Sequence, residues 1–247
     1  MRLYVQTDDL RQALQAVVPH AADPRDDVPV LARVRCVATP ENMFVMATNR
    51  YTMGIAAGSV WDHDGMTGSA QDDAFDLTGV QVKELLTLFH AAKQDDAGKG
   101  DLQIEVRPAG RDELVVTDIS GLFPGKALTL PGADPDQGYP NLARLVEQTM
   151  SAGRAFSGIL ATNGRLLKLF GAAAQAYGMP LTLEPTSRSK GSILVACGES
   201  FRGVLMPIGM DDDQLSDHAE WTARWGTWLE DLAAGMSEPP QAEEAAA

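Results

Sequence analysis

One order of hydrophobic and polar patterns recurs about every 70 to 85 residues: a period-two run, a cap, a stretch of helical period, then three more period-two runs. The first copy opens with RLYVQ, reaches a cap at Thr7-Asp8 and continues as DLRQALQAVV, whose Leu10, Leu14, Val17 and Val18 share one helical face. Its strands are VLARVRCVA, MFVMAT and TMGIAAGSV. The second copy opens with AFDLT, caps at Thr78 and runs QVKELLTLFHAAK, with Val82, Leu85, Leu86 and Phe89 in a stripe, before DLQIEVR, ELVVTD and KALTLP. The third opens with AFSGILAT, caps at Thr162-Asn163 and runs RLLKLFGAAAQAY, with Leu166, Leu169, Phe170 and Ala173 on one face, before PLTLEP, SILVAC and FRGVLMPI. A leucine stripe needs a sheet to cover it, so the pattern predicts an α+β fold of repeated β-α-β-β-β units, with helices on one face of antiparallel sheets.

The segments GSVWDHDGMTGSAQDD and PGADPDQGYPNLARLVEQTMSAG, rich in turn formers and acids, read as connections between copies. The expected organisation is therefore two units over residues 1–145, a third over 146–210 and a tail over 211–247. In the tail an acidic break, GMDDDQ, precedes an amphipathic helix carrying Trp221, Trp225, Trp228, Leu229 and Leu232, and EPPQAEEAAA has the composition of a disordered end. Three of the four tryptophans sit on that helix, which either docks on its own core, faces a partner or masks a site of its own chain.

Composition adds a constraint and a puzzle. The 247 residues are 45% hydrophobic and 22% charged, a globular make-up long enough for one or two cores. No run approaches the roughly 18 apolar residues of a membrane span, and MRLYVQTDD turns acidic too early for a signal peptide. Cys36 and Cys197 are too few for a disulfide scaffold, which fits a reducing cytoplasm. The formal charge of −14 argues against nucleic acid. Over the helical windows 10–19, 81–93 and 164–177, however, five basic residues stand against one acidic, +4, leaving −18 for the rest. The polar faces show Arg11, Gln12 and Gln15; then Lys83, Glu84, Thr87, His90 and Lys93; then Arg165, Lys168 and Gln175. A weakly basic helical face inside an acidic body attracts phosphate on one side only.

The motifs that suggest catalysis do not assemble. GLFPGKA is one residue short of a phosphate loop and ends in alanine where a magnesium-binding hydroxyl belongs, so it reads as a turn entering a strand. Ser187 and Lys190 have the spacing of a nucleophile pair but sit in TSRSKGS, a polar hairpin tip. The four histidines are scattered, and DHD at 62–64 lacks a second ligand cluster. The expectation is a binding scaffold, not an enzyme, with no cofactor and no metal.

Three motifs within the repeat carry a family resemblance. VPVLARVRCVATPENMFVMATNRYTMGIA resembles the helix-to-sheet passage that ends in an Ala-Thr-Asp-Gly-His-Arg-Leu type sequence in the bacterial-type sliding clamp, the DNA polymerase III beta subunit. LTLPGADPDQGYPNLARLV is similar to the end of a clamp domain running into a Phe-Pro-Asp-Tyr type linker, and FRGVLMPIGM resembles the carboxy-terminal Val-Val-Met-Pro-Met-Arg-Leu. Together they span roughly residues 1–210 in the family's order.

The resemblance implies a DNA-clamp-like fold and a processivity factor: a homo-oligomeric ring around double-stranded DNA, helices lining the hole, with no membrane partner. Arg11, Lys83, His90, Lys93, Arg165 and Lys168 are then the expected DNA-facing set. The family also binds short peptides of DNA polymerases and clamp loaders in an apolar pocket, which by motif falls on Thr48, Tyr51, Thr52, Met53, Pro140, Leu145, Met206, Pro207 and Ile208. Methionine and leucine suit a pocket that repacks around varied peptides. The chain departs from the family in carrying Asn49-Arg50-Tyr51-Thr52 for Asp-Gly-His-Arg and Ile208-Gly209-Met210 for Met-Arg-Leu. It also has three units where clamps have six or four. Three units close a twelve-unit ring only as a tetramer, and the alternative is a clamp-like adaptor or regulator that keeps the peptide pocket without a ring.

Overall fold

The structure, a computed structural model, describes residues 1–70, 72–90, 101–107, 113–132, 138–154, 159–187 and 191–235. The first unit is β1 (Arg2–Gln6), α1 (Thr7–Val17), β2 (Arg33–Ala38), β3 (Asn42–Thr48) and β4 (Thr52–Asp64). The second is β5 (Ala74–Thr78), α2 (Gly79–Leu88), β6 (Asp101–Arg107), β7 (Glu113–Asp118) and β8 (Ala127–Pro131). After α3 (Leu142–Met150), the third comprises α4 (Gly164–Leu169), α5 (Gly171–Tyr177), β9 (Leu181–Pro185), β10 (Ile193–Cys197) and β11 (Phe201–Leu205). α6 (Asp212–Gly235) follows. The compact units are Met1–Pro207 and Ile208–Ala247, so all three repeat units share one body and the expected 145/146 boundary falls inside α3.

Within that body the strands pair antiparallel throughout, in the orders β5-β2-β3-β4-β11-β10-β9 and β4-β1-β6-β7-β8. β4 belongs to both: residues 53–59 pair with β3, 52–56 with β11, and 60–64 with β1. The first two units exchange opening strands. β5, which leads into α2, pairs with β2 (Phe75 against Cys36), and β1 pairs with β6 (Leu3 against Ile104). Because strand side chains alternate between faces, Val34, Cys36, Met43, Val45, Ala47 and Ala56 all turn toward the helices, where they meet Leu10, Leu14, Val17, Val82, Leu85, Phe170 and Ala173 in one buried cluster.

The repeat is confirmed in element type, with several shifted boundaries. Thr78 caps α2 as expected, completing a capping box with Gln81, and the Asn163 side chain accepts from the Arg165 amide at the start of α4. α1 starts earlier: Gln6 is the N-cap residue, and Thr7 is buried inside the first turn. α2 stops at Leu88, and Lys93 lies outside the described residues. The third helix is broken at Phe170-Gly171, and residues 159–162 of its expected opening run form no strand. Both supposed connections hold structure, since residues 58–64 extend β4 and LARLVEQTM is α3. Lys190 and EPPQAEEAAA lie outside the described residues. No helix among the described residues is long and apolar enough to cross a membrane.

His20 marks the join between the first and third units. It is fully buried, its ring centroid 4.5 Å from that of Phe170 and 6.1 Å from that of Phe201. Nδ1 shares a 3.0 Å hydrogen bond with Thr52 Oγ1, while Nε2 has no partner among the described residues. Protonation would bury an unsatisfied N–H bearing charge, and burial lowers the pKa from 6.5 to about 4. The unfolded chain therefore binds the extra proton first, and stability falls as pH drops from 6.5 toward 4, by about 3 kcal/mol at the lower end. Urea titrations across that window are expected to show this slope, and His20→Gln to flatten it; equal slopes in the two proteins would count against the assignment.

Candidate functional site

The helices form one face of the body. α1 packs on α5, and on its other side the Arg11 guanidinium donates to the carbonyls of Leu86 (2.6 Å) and Phe89. Those carbonyls belong to the last turn of α2, which has no intrahelical donors left to satisfy them. Arg11 is thus half-buried and joins two helices. Lys83, His90, Arg165 and Lys168 are exposed, with Glu84 beside Lys83. The actual boundaries also change the charge: α1 includes Asp8 and Asp9 and α2 excludes Lys93, so the three helical segments hold four basic against three acidic residues, +1. The basic character expected of the whole face is concentrated on α4.

The peptide residues expected from the motifs divide into two groups. Thr48 and Thr52 are buried and hydrogen-bonded within the β3–β4 turn. Thr48 Oγ1 donates to the Thr52 carbonyl and accepts from the Arg50 amide, and Thr52 Oγ1 reaches Asn49 Oδ1 and His20. Arg50 has φ 75°, a left-handed conformation at the position where the resembling motif carries glycine. Tyr51 and Met206 are exposed and adjacent, the Met206 amide donating to the Tyr51 carbonyl, and Met53 pairs in register with Val204. Pro207 ends the first compact unit and Ile208, half-exposed, begins the second.

A concavity lies on the sheet face opposite the α1 and α2 helices. It has a volume of about 940 Å³. Val37, Phe44, Met46, Ile55 and Ala57, of opposite parity to the helix-facing set, make its floor, and Tyr139, Pro140, Leu142, Val146 and Met150 make its wall. Of the nine expected peptide residues only Pro140 lines it; Leu145, one position from Val146, is half-buried on α3. The wall stands because Asn141 caps α3, accepting from the Arg144 amide at 3.0 Å, and because Leu142, Val146 and Thr149 bury one side. The i, i+4, i+7 spacing of those three residues was the available sequence signal for this helix.

One polar network supports the floor. Arg35 donates two hydrogen bonds to the buried Asp76 carboxylate, Nε to Oδ1 at 2.8 Å and Nη2 to Oδ2 at 3.0 Å, and lies 4.5 Å from the ring centroid of Tyr139. The Tyr139 hydroxyl donates to the Met46 carbonyl, and burial pushes its pKa upward. Glu147, Glu199 and Arg202 complete the charged lining. The concavity is thus an apolar trough with a few fixed polar groups at its margins. Among the described residues no three His, Cys, Asp or Glu side chains converge as a metal site.

No protein-family model matches this sequence, and none of the curated proteins compared with it does. Solved structures do. The DNA polymerase III beta subunit from Thermotoga maritima superposes with TM-score 0.54 at 12% identity, covering 85% of this chain and 65% of that chain. The DNA polymerase sliding clamp from Bacillus subtilis gives TM-score 0.57 at 9% identity over 85% and 65%, and the DNA polymerase III subunit beta from Pseudomonas aeruginosa 0.53 at 13% over 85% and 66%. At such identities the likeness is one of fold: this chain has the DNA-clamp fold, over about two thirds of the length of the clamps it matches.

Proposed function

We propose that this chain, built on the DNA-clamp fold, is a sliding-clamp-like processivity factor of DNA replication. It is a non-enzymatic cytoplasmic protein that holds polymerase and clamp-loader peptides in the groove under α3 and tracks duplex DNA along its helical face. The groove is the observation that carries this reading, because Val37, Phe44, Ile55 and Ala57 on its floor are left only half-buried beside a capped helical wall. Exposed Tyr51 and Met206 offer a peptide further apolar contact. Tracking without base readout needs only scattered phosphate contacts, for which Lys83, His90, Arg165 and Lys168, with Lys93, are the proposed residues.

Encircling DNA requires further copies. Among the described strands β8 bonds only to β7, so its outer edge is open to a strand of a second chain. Three units per chain favour a tetramer of about 106 kDa, four times 26.4 kDa. Light scattering, followed by retention on nicked circular but not linearised plasmid, tests this; a monomer released equally from both sinks the ring. The +1 charge of the helices favours a second reading, an adaptor that keeps the groove without encircling DNA.

The groove has its own test. Fluorescein-labelled peptides tiled across polymerase and clamp-loader subunits are expected to bind, and Phe44→Glu to weaken the best of them at least about tenfold, roughly 1.4 kcal/mol. Met150→Glu, on the exposed rim, controls for folding and is expected to act in the same direction. Unchanged affinity in both variants would remove the groove from the reading.

A further inference from the structure

α6 presents an apolar seam that nothing in the proposed clamp function uses. His218, Trp221, Trp225 and Trp228 follow one another at spacings of three, four and three, the pattern by which one helix offers a continuous stripe to another. Leu215 and Leu229 widen the stripe. The three indoles are 54–58% exposed, and Trp225 and Trp228 meet edge to face with centroids 5.5 Å apart. The start of the helix is fixed by a reciprocal pair, the Gln214 amide donating to Asp211 Oδ1 and the Asp211 amide to Gln214 Oε1.

Charge decides what can cover this seam. Residues 211–229 hold five acidic side chains against one basic, net −4, and that one, Arg224, is paired with Glu220 at 2.7 Å. By the 100° turn per residue, Asp213, Asp217 and Glu220 lie along one side of the stripe with Arg224 among them, and Asp212 falls on the far face of the helix. A second copy would bring together two helices of net −4, where paired helices place opposite charges. DNA and anionic lipid carry the same sign as the helix. A basic segment with apolar residues on one face meets both demands: its apolar side chains cover the indoles and its lysines or arginines reach the carboxylates. Lysine and arginine also rest favourably on indole faces. Covering three indoles buries on the order of 450 Å², more than half of one partner's share of a standard interface.

We propose that α6 is a docking helix for a basic amphipathic helix of a partner protein. The test uses the full chain with Trp61→Phe, so that tryptophan emission reports α6 alone. The probe is a synthetic 21-residue peptide with leucine at heptad a and d positions and lysine elsewhere, set against a scrambled peptide of equal composition. The expected result is a saturable blue shift with the patterned peptide, at least tenfold weaker with the scrambled one. Trp221→Ala/Trp225→Ala/Trp228→Ala keeps the acids, and Asp213→Lys/Asp217→Lys/Glu220→Lys keeps the seam; each is expected to lose tenfold or more. The proposal is overturned if both peptides bind alike, or if either variant binds as the parent does. It is equally overturned if emission of the free protein blue-shifts with its own concentration as its mass doubles, which assigns the seam to a second copy. Binding to phosphatidylcholine vesicles without binding to the patterned peptide assigns it to membrane instead.

Discussion

Phe170→Ala is expected to cost about 3–5 kcal/mol of folding stability, the range for truncating a fully buried aromatic. Phe170 is 0% exposed and stands where the third helix breaks, between α4 and α5. Its ring touches His20 of the first unit and lies edge-on to Phe201, centroids 6.3 Å apart. A Cβ on Gly203 would fall 2.6 Å from Phe170 Cε1 and 2.7 Å from the Met53 carbonyl oxygen, so this ring fills the space that glycine leaves. Urea denaturation read by circular dichroism would measure the loss. A cost below about 1 kcal/mol, or a separate early transition of the third unit, would show that the His20–Phe170–Phe201 cluster does not join the units. Water entering the cavity is also expected to raise the His20 pKa and shallow the acid dependence of stability.

Asp76→Ala is expected to cost about 3–5 kcal/mol, because removing one partner of a buried ion pair strands the other. The Asp76 side chain is wholly inaccessible, holds Arg35 through two hydrogen bonds and has Arg33 Nη1 at 3.8 Å. Arg35 is 14% exposed and also supports the Tyr139 ring. Its release is expected to loosen the groove wall and weaken peptide binding as well as stability. Replacing both members, Asp76→Ala with Arg35→Leu, is expected to recover much of the stability but not the Tyr139 contact. A double variant as unstable as the single one would mean that packing around Asp76, not the stranded charge, sets the cost.

Much of the fold was legible because its signals are local. The Thr78-Gln81 capping box, the alternation in RLYVQ and RVRCVA, and the leucine stripes of α1 and α2 each depend on residues within a few positions of one another. The groove was legible only at Pro140. LARLVEQTM carries a helical stripe, but the acids, prolines and glycines before it gave the segment the composition of a linker. Its role as a wall depends on the outer face of β3 and β4, formed nearly a hundred positions away.

By itself the sequence determined the repeat, most element types, the resemblance to clamps and the acidic, tryptophan-bearing helix that follows the repeats. Only the tertiary structure decided that opening strands are exchanged between units, that β4 serves two sheets, and that one body runs from Met1 to Pro207. It also decided which polar groups remain available: Arg11 is tied to the end of α2, Thr48 and Thr52 to their own turn, and the helical charge falls from +4 to +1. The reason is physical. Periodicity and capping are set by neighbours along the chain, whereas strand partnership and the pairing of a guanidinium or hydroxyl are set by groups that meet only when distant segments pack together.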